Sequence, residues 1–355
     1  MQLQTLPLND TPTEAQLAPV TALTDGKLTE TWRRSRHPYS PQLHLGDGVA
    51  FLTMRRAHTA VTKVVASAWH ESADIDGAVA ALLDYSRERG DARLLWEIPA
   101  EPPAHPENIR EVLTRAGGWQ LREPYASADG TENVAGWALA AGGGRHPEPP
   151  YYAQTTDFTC GAVSALLTVN HLTGGGLAGA DRQGDRRAEL AFWRRATNMP
   201  AIDPTALLVE LAAELPEHEV SLSISQDGPV LLEGSDGFMR ESKVLLQHEA
   251  RMHAEQARLR IVTEWQSVST LAAALQAGAV AIVLIDEVPM HNDPTPHWVI
   301  AHAADERYIY IQDPWINAPE GETWLDGHDL PIAIAEFDAM ARWGDPAYRA
   351  IIEVR

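Results

Sequence analysis

Between residues 49 and 69 the apolar positions form two dense runs, Val49–Met54 and Ala60–Trp69. Both are rich in β-branched and other apolar residues and bounded by turns, which predicts two strands. From Asp74 to Gly90 the spacing becomes helical, with Val79, Leu82, Leu83 and Tyr85 on one side. Asp74 or Asp76 is placed to cap that helix and Gly90 to stop it. Arg93–Ile98 reads as a third strand and Asn108–Ala116 as a short helix ended by Gly117-Gly118; Trp119–Leu121 and Val134–Leu139 then close a sheet. Residues 31–140 are therefore expected as a small α/β domain. Residues 1–30, where prolines and acidic residues separate isolated apolar positions, are expected as a flexible segment, and the Gly- and Pro-dense stretch 141–150 as a linker.

After residue 151 helices come first and strands later. An apolar run, Ala162–Leu172, reads as a helix, and Gly174–Asp185 as a surface loop. Helices are expected at Glu189–Ala196, at Thr205–Glu214 behind Asp203-Pro204, at Arg240–Ala257 and at Val268–Ala277. The third is long and charged, with Val244, Leu245, His248, Met252 and Ala257 along one side; Met239, Met252 and Trp193 are expected in the core. Strands follow at Ala279–Ile285, Trp298–His302 and Tyr308–Ile311, then a helix at Ile334–Arg342 and a last strand at Tyr348–Val354. Helices followed by a mostly antiparallel sheet make residues 151–355 an α+β domain.

A formal net charge of −21 argues against nucleic acid or an anionic membrane surface as partner, because phosphates would be repelled. A cationic or neutral peptide would not be. The longest apolar run, Ala279–Ile285, is too short to span a bilayer, and Met1–Val20 lacks a basic segment followed by an apolar one. With a single cysteine there is no intramolecular disulfide and no multi-thiolate metal site, so a cytoplasmic location is expected. Oligomeric state is left open.

That cysteine, Cys160, precedes the Ala162–Leu172 helix. A helix N-terminus stabilises a thiolate through unpaired backbone N–H groups and the helix dipole, and a thiolate is the nucleophile of a cysteine hydrolase. His297 opens one strand and Asp313 closes the next, so an antiparallel pair turning near Asp305-Glu306-Arg307 brings both to one end of the sheet. There the carboxylate can hold one imidazole nitrogen while the other faces the thiol. Gln154, six residues before the cysteine, is placed to aim its amide at an oxyanion, with the Cys160 backbone N–H as second donor. Each residue alone has an ordinary structural explanation; order and spacing carry the case. Glu287 and Asp293, in the loop before His297, are candidates to bind a substrate cation, and Trp298 and Trp315 either wall a cleft or pack. His291, His297 and His302 do not read as a metal set, since 297 and 302 point to opposite faces of a regular strand. No metal or organic cofactor is expected.

Gln154, Cys160-Gly161, His297-Trp298-Val299-Ile300 and Asp313-Pro314 resemble the motifs of the papain-like cysteine peptidases of the bacteriocin-processing, double-glycine-leader family. The resemblance covers residues 151–355 and departs at Ala162, where that family usually has proline. It implies a papain-like cysteine peptidase domain with Cys160 as nucleophile, His297 as base, Asp313 as its orienter and Gln154 as oxyanion donor. The closest likeness is to stand-alone members preceded by an acetyltransferase-like domain. Ile109–Ala116 followed by Gly117-Gly118-Trp119 resembles the late part of a GNAT acetyltransferase. That family's acetyl-CoA loop should open a helix, whereas its one formal match, Arg87–Ala92, ends one, which implies a degenerate, non-acetylating domain. The expected reaction is hydrolysis of a peptide or amide bond in a peptide or protein substrate. Deamidation or acyl transfer in the same fold, and an inactive binding or scaffold protein, are the alternatives.

Overall fold

Two seven-stranded sheets organise the chain, whose computed structural model describes residues 1–99, 109–127 and 133–355. They belong to two units. The first takes residues 1–123, 131–146 and 317–326, so far as they are described, and the second takes the remainder. The boundary is thus not one cut near residue 140: the segment 317–326 belongs to the first unit and 124–130 to the second.

The first unit runs β1 (Gln4–Pro7), α1 (Glu14–Leu23), α2 (Glu30–Arg33), β2 (Gln42–Gly46), β3 (Val49–Met54), β4 (Val61–Trp69), α3 (Ile75–Glu88), β5 (Arg93–Pro99), α4 (Ile109–Arg115), β6 (Trp119–Gln120) and β7 (Val134–Ala140). Its sheet order is β1-β2-β3-β4-β5-β7-β6, antiparallel except for β4 beside β5. The parallel pairing runs only from Val61 to Val64; beyond it β4 and β5 have no common register. Asp74 does cap α3, accepting from the Gly77 N–H at 3.0 Å. Arg87–Ala92 does span the end of α3 and lead into β5, so it offers no helix N-terminus to a phosphate. The expected helix start at Asn108 lies outside the described residues.

One expectation is corrected here. Residues 1–30 are not a flexible segment: β1 pairs with β2, and Thr13 and Gln16 form a capping box on α1. Leu17 and Val20 are fully buried with Trp32, Tyr39 and Leu43, which stabilises the segment by about 1.5–3 kcal/mol per buried aliphatic side chain. The apolar positions of α1 are spread around the helix instead of forming one stripe, and a proline sits inside it, so its periodicity is weak.

The second unit runs α5 (Cys160–Thr173), α6 (Arg182–Ala196), α7 (Pro204–Glu214), β8 (Val220–Ile224), α8 (Gly237–Gln256), β9 (Arg260–Thr263), α9 (Val268–Gln276), β10 (Val280–Asp286), α10 (Val288–His291), β11 (Pro296–Ala304), β12 (Tyr308–Gln312), β13 (Leu330–Ala333), α11 (Ile334–Met340) and β14 (Ala350–Val354). Its sheet order is β13-β12-β11-β10-β14-β8-β9, antiparallel except for β8 beside β9. The core lies between this sheet and α5, α6 and α7. Helix α5 is buried along nearly its whole length, in keeping with its mostly apolar sequence, and its buried Ser164, Thr168 and Asn170 are hydrogen-bonded.

On α8 the buried positions are Ala250 and Ala254, while Leu245 and Met252 are 68% and 54% exposed and Met239 is exposed as well. The predicted apolar side of that helix is therefore its outer side. It packs on α7. A bulge between Ala301 and Ala303 falls on His302, so strict alternation along β11 ends there. The opposite-face reading of His297 and His302 assumed a regular strand. Among the described residues, no helix is long and apolar enough to cross a membrane.

Candidate active site

Cys160 is the first residue of α5, where backbone N–H groups have no partner within the helix. The N-cap is Thr159, and its side chain does not cap the first turn. Its hydroxyl is instead donated to Glu189 Oε1 at 2.5 Å. Gly161 explains how the helix reaches β11. A Cβ there would lie 3.0 Å from Trp298 Cδ1 and 3.3 Å from Ile202 Cδ1, both tight. The same contact is fastened by Ser164 Oγ donating to the Trp298 carbonyl and Trp298 Nε1 donating to the Ile202 carbonyl, each at 3.0 Å. Trp298 is thus a packing residue, and its chain neighbour His297 is carried to the head of α5.

His297 sits opposite Ile285 in the β10–β11 ladder, and Asp313 directly follows β12. Their side chains meet: His297 Nε2 lies 2.8 Å from Asp313 Oδ1. That oxygen also accepts the Trp315 backbone N–H at 2.9 Å. The Asp313 main chain is held on both sides. Its N–H donates to the Gly327 carbonyl at 2.8 Å, and its carbonyl accepts from the Tyr151 hydroxyl at 2.9 Å. Gly327 has no room for a side chain, because a Cβ would fall 2.3 Å from the Asp313 carbonyl oxygen. The Gln154 N–H donates to the Pro314 carbonyl at 2.8 Å, which ties the loop before Cys160 to the segment carrying Asp313. One hydrogen of the Gln154 amide is donated to the Thr156 carbonyl at 2.8 Å.

The imidazole of His297 is buried. Burial is the largest single effect on it and opposes its charged form. Glu287, Asp313 and Cys160, in that order, outweigh burial and hold it well above the ordinary histidine value of 6.5. Glu287, a candidate cation binder by its place in the loop, is buried, with Oε1 3.5 Å from His297 Nδ1. Asp293 is exposed and accepts from the Thr295 hydroxyl at 2.8 Å. His291 stacks edge-on against Trp315 at 4.6 Å between ring centroids. Glu287, His291 and Asp313 bring one ligand-type atom each within 4.8 Å of one another. Glu287 and Asp313 of this cluster also face His297.

Sequence reasoning missed Glu189. It is fully buried on α6 and accepts the Tyr152 hydroxyl (3.0 Å), the Thr155 N–H (2.9 Å), the Thr155 hydroxyl (2.8 Å) and the Thr159 hydroxyl. Four donors from residues 152–159 converge on one carboxylate and hold the loop that carries Gln154 and ends at Cys160. Nothing in a helix of arginines and acidic residues distinguishes this glutamate, since the signal is its position in space. Glu189→Ala strands the buried hydroxyls of Tyr152 and Thr159, each costing about 1–3 kcal/mol if unsatisfied, and the two partly buried donors of Thr155. We expect it to unfold the loop, read as loss of hydrogen-exchange protection at Thr155 and at the first turn of α5, with the β10–β11 amides unchanged.

Residues 149–355, more than half of the chain, match the family described as Peptidase_C39 like. No curated protein matches the chain. Among solved structures it is similar to the ribosomal-protein-S18-alanine N-acetyltransferase of Escherichia coli, at 15% identity and a TM-score of 0.27, over 41% of this chain and 97% of that one. It is also similar to a Bacillus subtilis acetyltransferase solved with CoA, at 10% identity and a TM-score of 0.23, over 39% of this chain and 99% of that one. A third similar structure is described as a C39-like peptidase from Bacillus anthracis, at 11% identity and a TM-score of 0.27, over 59% of this chain and 98% of that one. The acetyltransferase neighbours correspond to the N-terminal region. At these identities and scores they say what the chain is similar to and nothing of what it does.

Proposed function

Because this chain belongs to the Peptidase_C39 like family, we propose that its second unit is a thiol peptidase acting through a Cys160 acyl-enzyme. The observation that carries the reading is the 2.8 Å contact of His297 with Asp313, in a unit whose only thiol lies at a helix N-terminus and acts electrostatically on the same imidazole. The Cys160 sulfur attacks the carbonyl carbon of a peptide bond, and the carbonyl oxygen takes the negative charge. The Cys160 N–H and the second amide hydrogen of Gln154 are the donors for that oxygen. As the C–N bond breaks, His297 gives its proton to the leaving amine, and a thioester remains. Water then attacks the thioester, His297 takes the proton, and the carboxyl product leaves as the thiol is restored. Asp313 keeps a hydrogen on Nε2 throughout, which reserves Nδ1 for the reaction.

The substrate class is a peptide or protein, and the net charge of −21 favours a neutral or cationic one. A reduced catalytic thiol fits a cytoplasmic setting. Incubation of the full chain with a proteome-derived peptide mixture, followed by mass spectrometry of new termini, tests the reading. We expect new termini with one sequence preference, and none from Cys160→Ala. Cleavage that survives Cys160→Ala, or no cleavage by either protein, would overturn it.

A further inference from the structure

His297 has a carboxylate on each side. Asp313 Oδ1 is 2.8 Å from Nε2, and Glu287 Oε1 is 3.5 Å from Nδ1, the nitrogen the peptidase reading assigns to the thiol. Glu287 is held there by its own backbone. It follows the last residue of β10, its N–H donates to the Thr295 carbonyl at 3.2 Å, and it begins the turn into α10. The remaining ionisable groups of the loop are directed elsewhere: Asp286 accepts the Val288 N–H, and Asp293 accepts the Thr295 hydroxyl. His291 Nε2 lies 3.8 Å from the second oxygen of Asp313. The groups facing the imidazole are therefore Asp313 from the end of β12, Glu287 from the β10–β11 loop with His291 behind it, and Cys160 from α5.

We propose that Glu287 is a positioning residue of this site, a second carboxylate partner that holds the proton on His297 Nδ1 whether or not Cys160 carries a charge. The proposal rests on the peptidase reading for its consequence. In a site with one carboxylate, the only anion on the Nδ1 side of the imidazolium is the thiolate, and its charge is lost as soon as the sulfur attacks the carbonyl. Here the Nδ1 side keeps an anion throughout, so the proton destined for the leaving amine is retained. The cost falls on the second half-reaction, where a neutral imidazole must take a proton from water. That step accelerates as pH rises through the titration of His297. The same charge pairing stabilises the fold: a histidine raised above its ordinary value contributes fully below about 6.5, and the contribution is lost as pH climbs through the raised value.

The test removes both thiol and substrate, so its outcome is independent of whether any peptide is cleaved. In the Cys160→Ala chain, His297 is titrated through its imidazole NMR signals, assigned by their disappearance in Cys160→Ala/His297→Ala. We expect it still to titrate above the ordinary value. Cys160→Ala/Glu287→Gln should lower its proton affinity about tenfold or more, the least that an opposite charge at this range contributes. Cys160→Ala/Glu287→Asp should fall between the two. An identical midpoint with glutamate and glutamine would overturn the proposal. Should the glutamine protein not fold, an unchanged midpoint in the aspartate protein would do the same. A thermal-stability difference between Cys160→Ala and Cys160→Ala/Glu287→Gln that persists undiminished at alkaline pH would also count against it.

Discussion

Replacing His297 with alanine is expected to slow alkylation of Cys160 by iodoacetamide about 10- to 100-fold at pH 6.5. Only the thiolate reacts, and a thiol at the ordinary value of about 8.5 is roughly 1% ionised at that pH. The peptidase reading requires a cation beside the sulfur, and it assigns that part to His297, whose charged form Glu287 and Asp313 favour against its burial. The helix N-terminus survives the substitution and keeps part of the stabilisation, which sets the lower bound. Since Cys160 is the sole cysteine, mass spectrometry of the intact chain reads a single event, and Cys160→Ala supplies the blank. Equal rates for the two proteins would remove the electrostatic basis of the thiol peptidase.

The second large effect lies in the first unit. Lys63 on β4 is buried, with Nζ 2.5 Å from Glu97 on β5 and in contact with Asp326 of the 317–326 segment. Beside it, Arg56 makes a bidentate pair with Glu322 of the same segment, at 2.6 and 2.7 Å. Burial opposes the charge on Lys63, but Asp326 and Glu97 outweigh it and keep the amine protonated. Burial also pushes the Asp326 carboxyl up to about 6, against the pull of Lys63. Lys63→Met would leave two buried carboxylates without their shared cation. Breaking a buried pair on one side costs about 3–5 kcal/mol. By hydrogen exchange this should appear as protection lost about 150- to 4,000-fold in β4 and β5. Loss of less than about tenfold would mean that water or Arg36 takes over the charge. The segment's apolar part docks in the same unit, where Gly136 makes room for Trp324 and Leu325 and Trp324 Nε1 donates to the Val134 carbonyl.

Elements with strong local signals were legible from the chain alone. The runs at 49–54, 61–69, 280–286 and 308–312 are strands, in keeping with their short, dense runs of apolar, aromatic and β-branched residues. Asp74 and Asp203 cap helices where a short acidic side chain precedes a helical pattern. Weak or mixed patterns were not legible: β1 and α1 in a segment of scattered apolar residues, β8 and β9 in short half-buried stretches, and the true buried face of α8. In each, neighbours distant in sequence decide which side is covered.

The same division runs through the site. Order along the chain was enough to pick out Gln154, Cys160, His297 and Asp313 as candidates, because the nucleophile needs a helix start and the histidine and aspartate need adjacent strand ends. Three further features exist only once the chain is folded: Glu189 holds the loop before the cysteine, Glu287 turns inward to the imidazole, and a segment after β12 completes the first unit. A carboxylate's role depends on the donors that surround it when it is buried. Those donors come from elements up to 266 residues away, as in the pair of Arg56 with Glu322, and no local pattern encodes them.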